Sequence, residues 1–212
     1  MAVTKTRSGV DWSVAQRRLA RVDPVMKQII RRVGPCTLSP RRDYFVKLCH
    51  SIFAQQLSSK VATVLFKRFC GHFPSRRPTP AAVLEFLQSD EEKIRTAGLS
   101  RQKRGYVNDL ATHFAGGRVR TSRFARMDDD AIVEALLPIK GIGRWTVEMF
   151  LIFCLNRPDV FPVDDFGVKK NAQIAYGLKD LPTKTQLLEM GEKWKPWRTI
   201  ASWYLWRYGD SK

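Results

Sequence analysis

The sequence lacks any apolar run long enough to cross a membrane, and its start, MAVTKTRSGV, has no apolar segment of the kind found in secretory signals. Its four cysteines are scattered without a Cys-x-x-Cys pair, and its three histidines form no metal or catalytic motif. These absences argue against a disulfide framework, a zinc site and an iron–sulfur cluster. We therefore expect reduced thiols in an intracellular protein, located in the cytoplasm or nucleoid (the nucleus in a eukaryote), with no membrane partner.

Acidic residues are also scarce. The chain has 20 Asp and Glu against 37 Lys and Arg, which gives a net charge of +17. The imbalance is strongest in residues 1–42, which hold ten basic and two acidic side chains. This excess is larger than solubility requires and favours a polyanionic partner, nucleic acid first. The alternative is a generically basic protein.

Apolar spacing along the chain is almost entirely helical. With 44% apolar residues in 212, the chain can form one large domain or two small lobes, each with a core. No alternating strand pattern is longer than 118–121, and there is no tandem repeat. We predict an all-α fold of roughly ten helices. The predicted helices cover 22–34, 44–58, 58–73, 81–90, 90–99, 100–117 and 128–140, with others after residue 143.

One stretch, LPIKGIGRWTVEMF, predicts a tight hairpin between two helices. The first helix ends near Lys140, the turn is Gly141-Ile142-Gly143, and the second helix begins at about Arg144. Amides at the start of that helix suit a phosphate oxygen, and the outward carbonyls of the two glycines could hold a monovalent cation. Such a turn grips the DNA backbone without reading its sequence. The alternative is an ordinary helix connection with glycine caps.

Four motifs in order resemble the helix-hairpin-helix DNA glycosylase superfamily, and within it the AlkA-type 3-methyladenine DNA glycosylases. They are IFAQQLS (52–58), GIGRWT, FPVDDFGVKK and EKWKPWRTIASWYLW (192–206). Trp145 and Asp165 are twenty residues apart, as the family pattern requires. The resemblance runs from about Val22 to Tyr208. We expect the compact, all-helical form of the family, because the sequence shows neither room nor strand pattern for the N-terminal β-rich domain of the best-known bacterial form.

The resemblance implies a two-lobed helical bundle with a helix-hairpin-helix motif and an active-site cleft between the lobes. We expect a single glycosylase domain over 1–212. Its segments 1–40 and about 141–212 would form one lobe, and about 41–140 the other. We expect a monomer, because one lesion is one asymmetric site.

The resemblance assigns catalysis to Asp165, the second aspartate of VDDF. Breaking an N-glycosidic bond develops positive charge on the deoxyribose, which a carboxylate can stabilise while it assists an attacking water. Asp164 is expected to be the structural or capping partner; the alternative is that both residues only cap a helix. Members that also cut the backbone carry a Schiff-base lysine at the position of Trp145. Lys140 does not match that position, so we expect no lyase activity.

The resemblance also implies a pocket for a flipped base, a wedge and backbone clamps. The expected pocket residues are Trp206, Trp145, Phe45 and Met149, with Trp206 stacked on the base, although Phe45 could equally be core. Gln56 is the expected wedge, the side chain that enters the gap left by the flipped nucleotide, with Leu57 as the alternative. The non-functional alternative is that these residues are only an exposed helix end. The expected DNA-binding residues are Gly141, Ile142, Gly143, Arg144, Lys140 and Lys169.

These expectations describe a monofunctional DNA glycosylase of base excision repair. Its partner would be double-stranded DNA containing alkylated purines, chiefly 3-methyladenine and then 7-methylguanine, and its product an abasic site. No cofactor is required; Na⁺ or K⁺ at the hairpin would be a structural ion. The alternatives are a non-catalytic DNA-binding module, a glycosylase for neutral lesions such as ethenoadenine or hypoxanthine, and a glycosylase/lyase for oxidised bases.

Overall fold

The structure is a computed structural model that describes residues 5–6 and 9–210. The expectation about a secretory signal rests partly on residues 1–4 and 7–8, which lie outside this range. Within the described residues the fold is all-α, as predicted. The helices are α1 (Trp12–Val22), α2 (Pro24–Val33), α3 (Tyr44–Ala54), α4 (Ser59–Cys70), α5 (Pro80–Phe86), α6 (Glu91–Thr96), α7 (Arg101–Ala115), α8 (Asp129–Leu136), α9 (Arg144–Phe153), α10 (Phe166–Tyr176), α11 (Lys184–Glu192) and α12 (Arg198–Asp210).

Four short elements complete the described part of the fold. Strands β1 (Lys5–Thr6) and β2 (Gly9–Val10) pair in antiparallel register, a contact too short to alter the fold class. Single 3-10 turns occur at Pro74–Arg76 and Thr121–Arg123. The second of these overlaps 118–121, the longest strand-like pattern in the sequence, which therefore does not form a strand. None of the described helices is long and apolar enough to span a membrane.

Some of the predicted helix boundaries agree with the structure and others do not. Asp23 caps α2 as predicted, since its side chain accepts hydrogen bonds from the amides of Val25 and Met26. The predicted helix 44–58 ends four residues early, at Ala54, and the predicted helix 128–140 ends at Leu136. In both places the chain leaves the helix for a turn that carries predicted DNA-contact residues.

The chain divides into two compact units. The first comprises the chain up to Pro40 together with Leu151 onward, and the second is Arg41–Phe150. Residues 141–150, expected with the C-terminal lobe, belong to the second unit. The hairpin turn and the first seven residues of α9 are therefore part of that unit.

The first unit is organised around a buried aspartate. Asp23 has no exposed surface, and its Oδ2 accepts hydrogen bonds from Tyr176 Oη at 2.6 Å and Trp194 Nε1 at 2.8 Å, with Lys193 Nζ at 3.0 Å. Burial alone would raise the pKa of Asp23, but the hydrogen bonds from Tyr176 and Trp194 outweigh it and hold the pKa below its ordinary value. Asp23 thus joins the start of α2 to the end of α10.

The second unit has a core rich in aromatic rings. Phe53 and Phe69 have no exposed surface, and their ring centroids lie 5.0 Å apart. Phe124 packs edge-on against Tyr44 and Phe150, with centroids 5.5 and 5.6 Å away. Tyr44 and Phe53 belong to α3 and Phe150 belongs to α9, so this core holds two helices that adjoin the turns described below.

Candidate catalytic residue and DNA-contact turns

Asp165 is the N-cap of α10. Its Oδ1 accepts a hydrogen bond from the Val168 amide at 2.8 Å, and its own amide donates to the Pro162 carbonyl at 3.0 Å. The capping role that we assigned to Asp164 therefore belongs to Asp165. Capping and catalysis are compatible in one residue, because a carboxylate that accepts a hydrogen bond at Oδ1 keeps its negative charge.

The indole of Trp206 anchors the same oxygen. Trp206 Nε1 donates to Asp165 Oδ1 at 2.8 Å, and the indole stacks on Phe153 with ring centroids 5.6 Å apart. Gly167 leaves room for this contact, since a Cβ there would lie 3.1 Å from both Asp165 Oδ1 and Trp206 Cδ1. The sequence reasoning named both residues but missed this hydrogen bond, because no local signal joins residues 41 positions apart.

The loop leading to Asp165 is held at the start of α12. Arg198 makes a two-pronged ion pair with Asp159, with Nε–Oδ1 and Nη2–Oδ2 distances of 2.7 Å. Thr199 is fully buried, and its Oγ1 accepts from the Val160 amide at 2.9 Å. Helix α12 therefore fixes the loop at its first turn and the Asp165 carboxylate near its last. Such support keeps a catalytic group in one geometry.

Two neighbours of Asp165 face solvent. Asp164 is exposed and forms ion pairs with Lys169 Nζ at 3.9 Å and Lys184 Nζ at 3.5 Å. Exposed pairs of this kind contribute little stability, so the side chain of Lys169 can exchange this partner for a phosphate. Phe166, the first residue of α10, is 68% exposed. The sequence reasoning did not single it out, and so large an apolar surface beside Asp165 makes it a further candidate for substrate contact.

The two glycines of the hairpin have different functions. Gly141 has φ +81°, and a Cβ there would lie 2.5 Å from Cγ of the Tyr106 ring, so both conformation and space require glycine. Gly143 is exposed, and a Cβ there would meet nothing within 4 Å. The buried side chains of Ile139 and Ile142 hold the turn on the second unit. Ile142, predicted to bind DNA, can do so only through its backbone.

Helix α7 packs against the hairpin turn and hydrogen-bonds to it. Tyr106 packs against Gly141, and one turn further on Asp109 Oδ2 accepts a hydrogen bond from the Lys140 amide at 2.8 Å. The Gly141 carbonyl accepts a hydrogen bond from Gln55 Nε2 at 2.6 Å. A cation at this carbonyl would share the oxygen with the Gln55 amide or displace it.

The same helix supports the predicted wedge. Lys103 Nζ donates to the carbonyls of Phe53 at 2.6 Å and Gln55 at 3.0 Å, at the end of α3. Burial lowers the pKa of Lys103. Gln56 follows with φ +59°, a left-handed conformation that is uncommon without glycine, and both Gln56 and Leu57 are exposed. Lys103, absent from the sequence-based candidates, therefore holds the backbone from which the predicted wedge projects.

The predicted pocket residues of the second unit do not share one environment. Trp145 is 50% exposed on the first turn of α9, and Met149 follows one turn later, half-buried on the same face. Arg144 is exposed and pairs with Glu148 at 3.3 Å. Phe45 is buried, with its ring edge-on to that of Phe114 at 5.3 Å. For Phe45 the structure favours the core alternative.

These elements define a class of protein: a helix-hairpin-helix protein with a fixed aspartate that caps a helix after the hairpin. Residues 49–196 match the HhH-GPD superfamily of base excision DNA repair proteins, and the chain belongs to this family. The resemblance drawn from the sequence motifs is thereby confirmed.

Relatives cover nearly the whole chain. The chain is 36% identical to DNA-3-methyladenine glycosylase 1 of Schizosaccharomyces pombe over 202 residues, 91% of this chain and 86% of that one. It is 31% identical to the alkylbase DNA glycosidase-like protein mag2 of the same yeast, over 93% of each chain. The solved structure of S. pombe Mag1 in complex with abasic DNA matches with a TM-score of 0.81 at 35% identity, covering 92% of this chain and 95% of that one.

Proposed function

We propose that this protein is a monofunctional DNA glycosylase that removes alkylated purines, chiefly 3-methyladenine, from double-stranded DNA and leaves an abasic site. The observation that carries the proposal is the fixed carboxylate of Asp165, whose Oδ1 is bound by Val168 N and Trp206 Nε1. Membership of a base excision repair family and relatives named as 3-methyladenine glycosylases support the substrate class.

The carboxylate matches the charge that develops in the reaction. As the bond from C1′ to the purine nitrogen breaks, its electron pair leaves with the base, and positive charge spreads over C1′ and the ring oxygen of the sugar. The Asp165 carboxylate stabilises this charge and accepts a proton from the water whose oxygen bonds to C1′. An alkylated base that carries a positive charge leaves as a neutral molecule, so it needs no strong general acid.

Trp206 has two functions in this proposal. Its N–H holds Asp165 Oδ1, and its electron-rich ring attracts a cationic base, a contact of roughly 1–2 kcal/mol. Trp145 and Met149 are proposed to contact the flipped base from the exposed face of α9. Because a cation–π contact favours charged over neutral bases, hypoxanthine and ethenoadenine should be poorer substrates.

DNA binding is assigned to the hairpin and the wedge. The amides that follow Gly143 at the start of α9 bind a backbone phosphate, with Na⁺ or K⁺ as an accessory ion, and the exposed cations Lys140 and Arg144 add charge. Gln56 fills the gap that the flipped nucleotide leaves.

The absence of a lyase step is part of the proposal. It rests on Trp145, which occupies the position of the Schiff-base lysine in the lyase branch. Borohydride added to an enzyme–DNA mixture traps a covalent adduct if a Schiff base forms.

The test combines two measurements on the wild-type protein. Release of 3-methyladenine from methylated DNA without a borohydride-trapped adduct is the expected result. Tight binding to DNA without release of any alkylated base would replace the proposal by a binding module. A trapped adduct would replace the monofunctional reaction by glycosylase/lyase chemistry.

A further inference from the structure

The loop from α7 to α8 concentrates positive charge. Its segment RVRTSRFAR (118–126) holds four arginines in nine residues, and no acidic residue lies between Asp109 and Asp128. All four arginine side chains are exposed. None of them belongs to the hairpin, the wedge or the environment of Asp165.

Three of these arginines border one cavity. It has a volume of about 380 Å³ and is lined by Gly117, Arg118, Arg120, Arg123, Phe124, Met127 and Ala135. The ring of Phe124 is buried, whereas the arginines are exposed, so the cavity has an apolar floor and a cationic opening. Its volume exceeds that of an inorganic anion and suits a phosphate with its attached sugar.

The guanidinium groups around this cavity lack anionic partners in the described part of the chain. Arg120 Nε donates to the Gly117 carbonyl at 3.2 Å, and no carboxylate pairs with Arg118, Arg120 or Arg123 there. The neighbouring Asp128 is engaged as the cap of α8, where it accepts the Ala131 amide at 2.8 Å. Three clustered cations repel one another, and an oxyanion between them relieves that repulsion.

From this arrangement we propose that the cavity is a phosphate site, distinct from the hairpin, that binds a backbone phosphate on the flank of the DNA. Guanidinium forks match phosphate oxygens in pairs, which lysine cannot do. Helix α8 leads from this loop toward the hairpin and rises about 12 Å over its length, roughly the axial length of three to four base pairs. The proposal rests on the proposed function only in taking DNA as the polyanion.

The test is the salt dependence of DNA binding. A duplex with a stable abasic analogue is titrated with the wild type, with the triple variant R118Q/R120Q/R123Q and with the control R17Q/R18Q/R21Q on α1, which loses the same charge. Each phosphate contact contributes about 0.9 to the slope of log K against log salt, so the cavity variant, which loses one phosphate contact, should lose about 0.9 from the slope. The control should lose clearly less. Equal losses in the two variants would mean a bulk charge effect and overturn the proposal.

One further variant and two ligands make the result specific. R118K/R120K/R123K keeps the charge without the forks, so it should preserve most of the slope but bind the duplex more weakly than wild type. Inorganic phosphate and pyrophosphate are titrated by calorimetry; their tight binding at the arginines with an unchanged DNA slope would identify free phosphate as the ligand and overturn the DNA assignment. Thermal unfolding of each variant verifies folding. Because binding is measured without base release, a protein that fails as a glycosylase can still pass this test.

Discussion

The hairpin offers a sharp test, because the same substitution at two nearby positions should impair two different properties. In Gly141→Ala the new methyl group meets the Tyr106 ring and the residue must keep φ +81°. In Gly143→Ala the methyl group meets nothing within 4 Å. We expect the first variant to lose stability and the second to lose affinity for DNA.

The size of each effect follows from its cause. A left-handed alanine costs roughly 1–2 kcal/mol, and overpacking against Tyr106 adds roughly 1–3 kcal/mol, so Gly141→Ala should lose about 2–5 kcal/mol. For a chain of this size that lowers the melting temperature by roughly 4–20 °C. Gly143→Ala should stay within about 0.5 kcal/mol of wild type. In the proposed DNA complex its methyl group stands where the phosphate approaches, and losing one charge-assisted hydrogen bond, about 1.5–3 kcal/mol, should weaken DNA binding about tenfold or more.

Thermal unfolding and titration with abasic DNA measure the two effects separately. Tyr106→Ala supplies a control: it removes the ring that the methyl group strikes, so Gly141→Ala in that background should cost only the backbone part, about 1–2 kcal/mol. Equal melting temperatures for Gly141→Ala and wild type would refute the steric reasoning. Undiminished DNA affinity in Gly143→Ala would show that no phosphate approaches that side of the turn.

Three other changes test the supporting contacts. Trp206→Phe keeps an aromatic ring but removes the hydrogen bond to Asp165, so kcat should fall about tenfold with KM less affected in steady-state base release. Asp23→Asn should destabilise the protein by about 1–3 kcal/mol because buried donors lose their acceptor. Since the pKa of Asp23 is lower in the folded state, the ionised carboxylate stabilises the protein fully above about pH 4, and this stabilisation disappears as pH falls through the folded-state pKa. The difference in free energy of unfolding between wild type and Asp23→Asn, measured with urea, should therefore shrink in acid. A difference that stays constant with pH would contradict this. Lys103→Met should slow excision from duplex DNA but not from single strands, and the effect should vanish in a Gln56→Ala background if Lys103 acts through the wedge.

Many of the helix boundaries could be predicted from clear local signals in the sequence. Asp23 with Pro24 marks the start of α2, and Gly141 with Gly143 marks the hairpin. Helix α1 was missed, although Asp11 caps it and its buried positions have helical spacing. The early ends of α3 and α8 were also missed, because apolar residues continue into the turns that follow.

The candidate site was harder to predict, because its contacts join distant parts of the chain. The motif pattern pointed to Asp165 and Trp206 separately, but the hydrogen bond between them spans 41 positions. Lys103 lies 48 positions from Gln55 and looks like an ordinary surface cation in the sequence. Only the structure shows that it donates hydrogen bonds to the carbonyls of Phe53 and Gln55 at the end of α3. Capping by Asp165 and not Asp164 depends on where α10 begins, which residue patterns define only to within a residue or two.

The central claim is that the Asp165 carboxylate drives base removal, and one comparison tests it most directly. Asparagine also caps helices, so Asp165→Asn should fold and bind abasic DNA like wild type while losing the negative charge. Release of 3-methyladenine from methylated DNA should fall by about 10²-fold or more in single-turnover assays. Release at the wild-type rate by the folded variant would contradict the assignment.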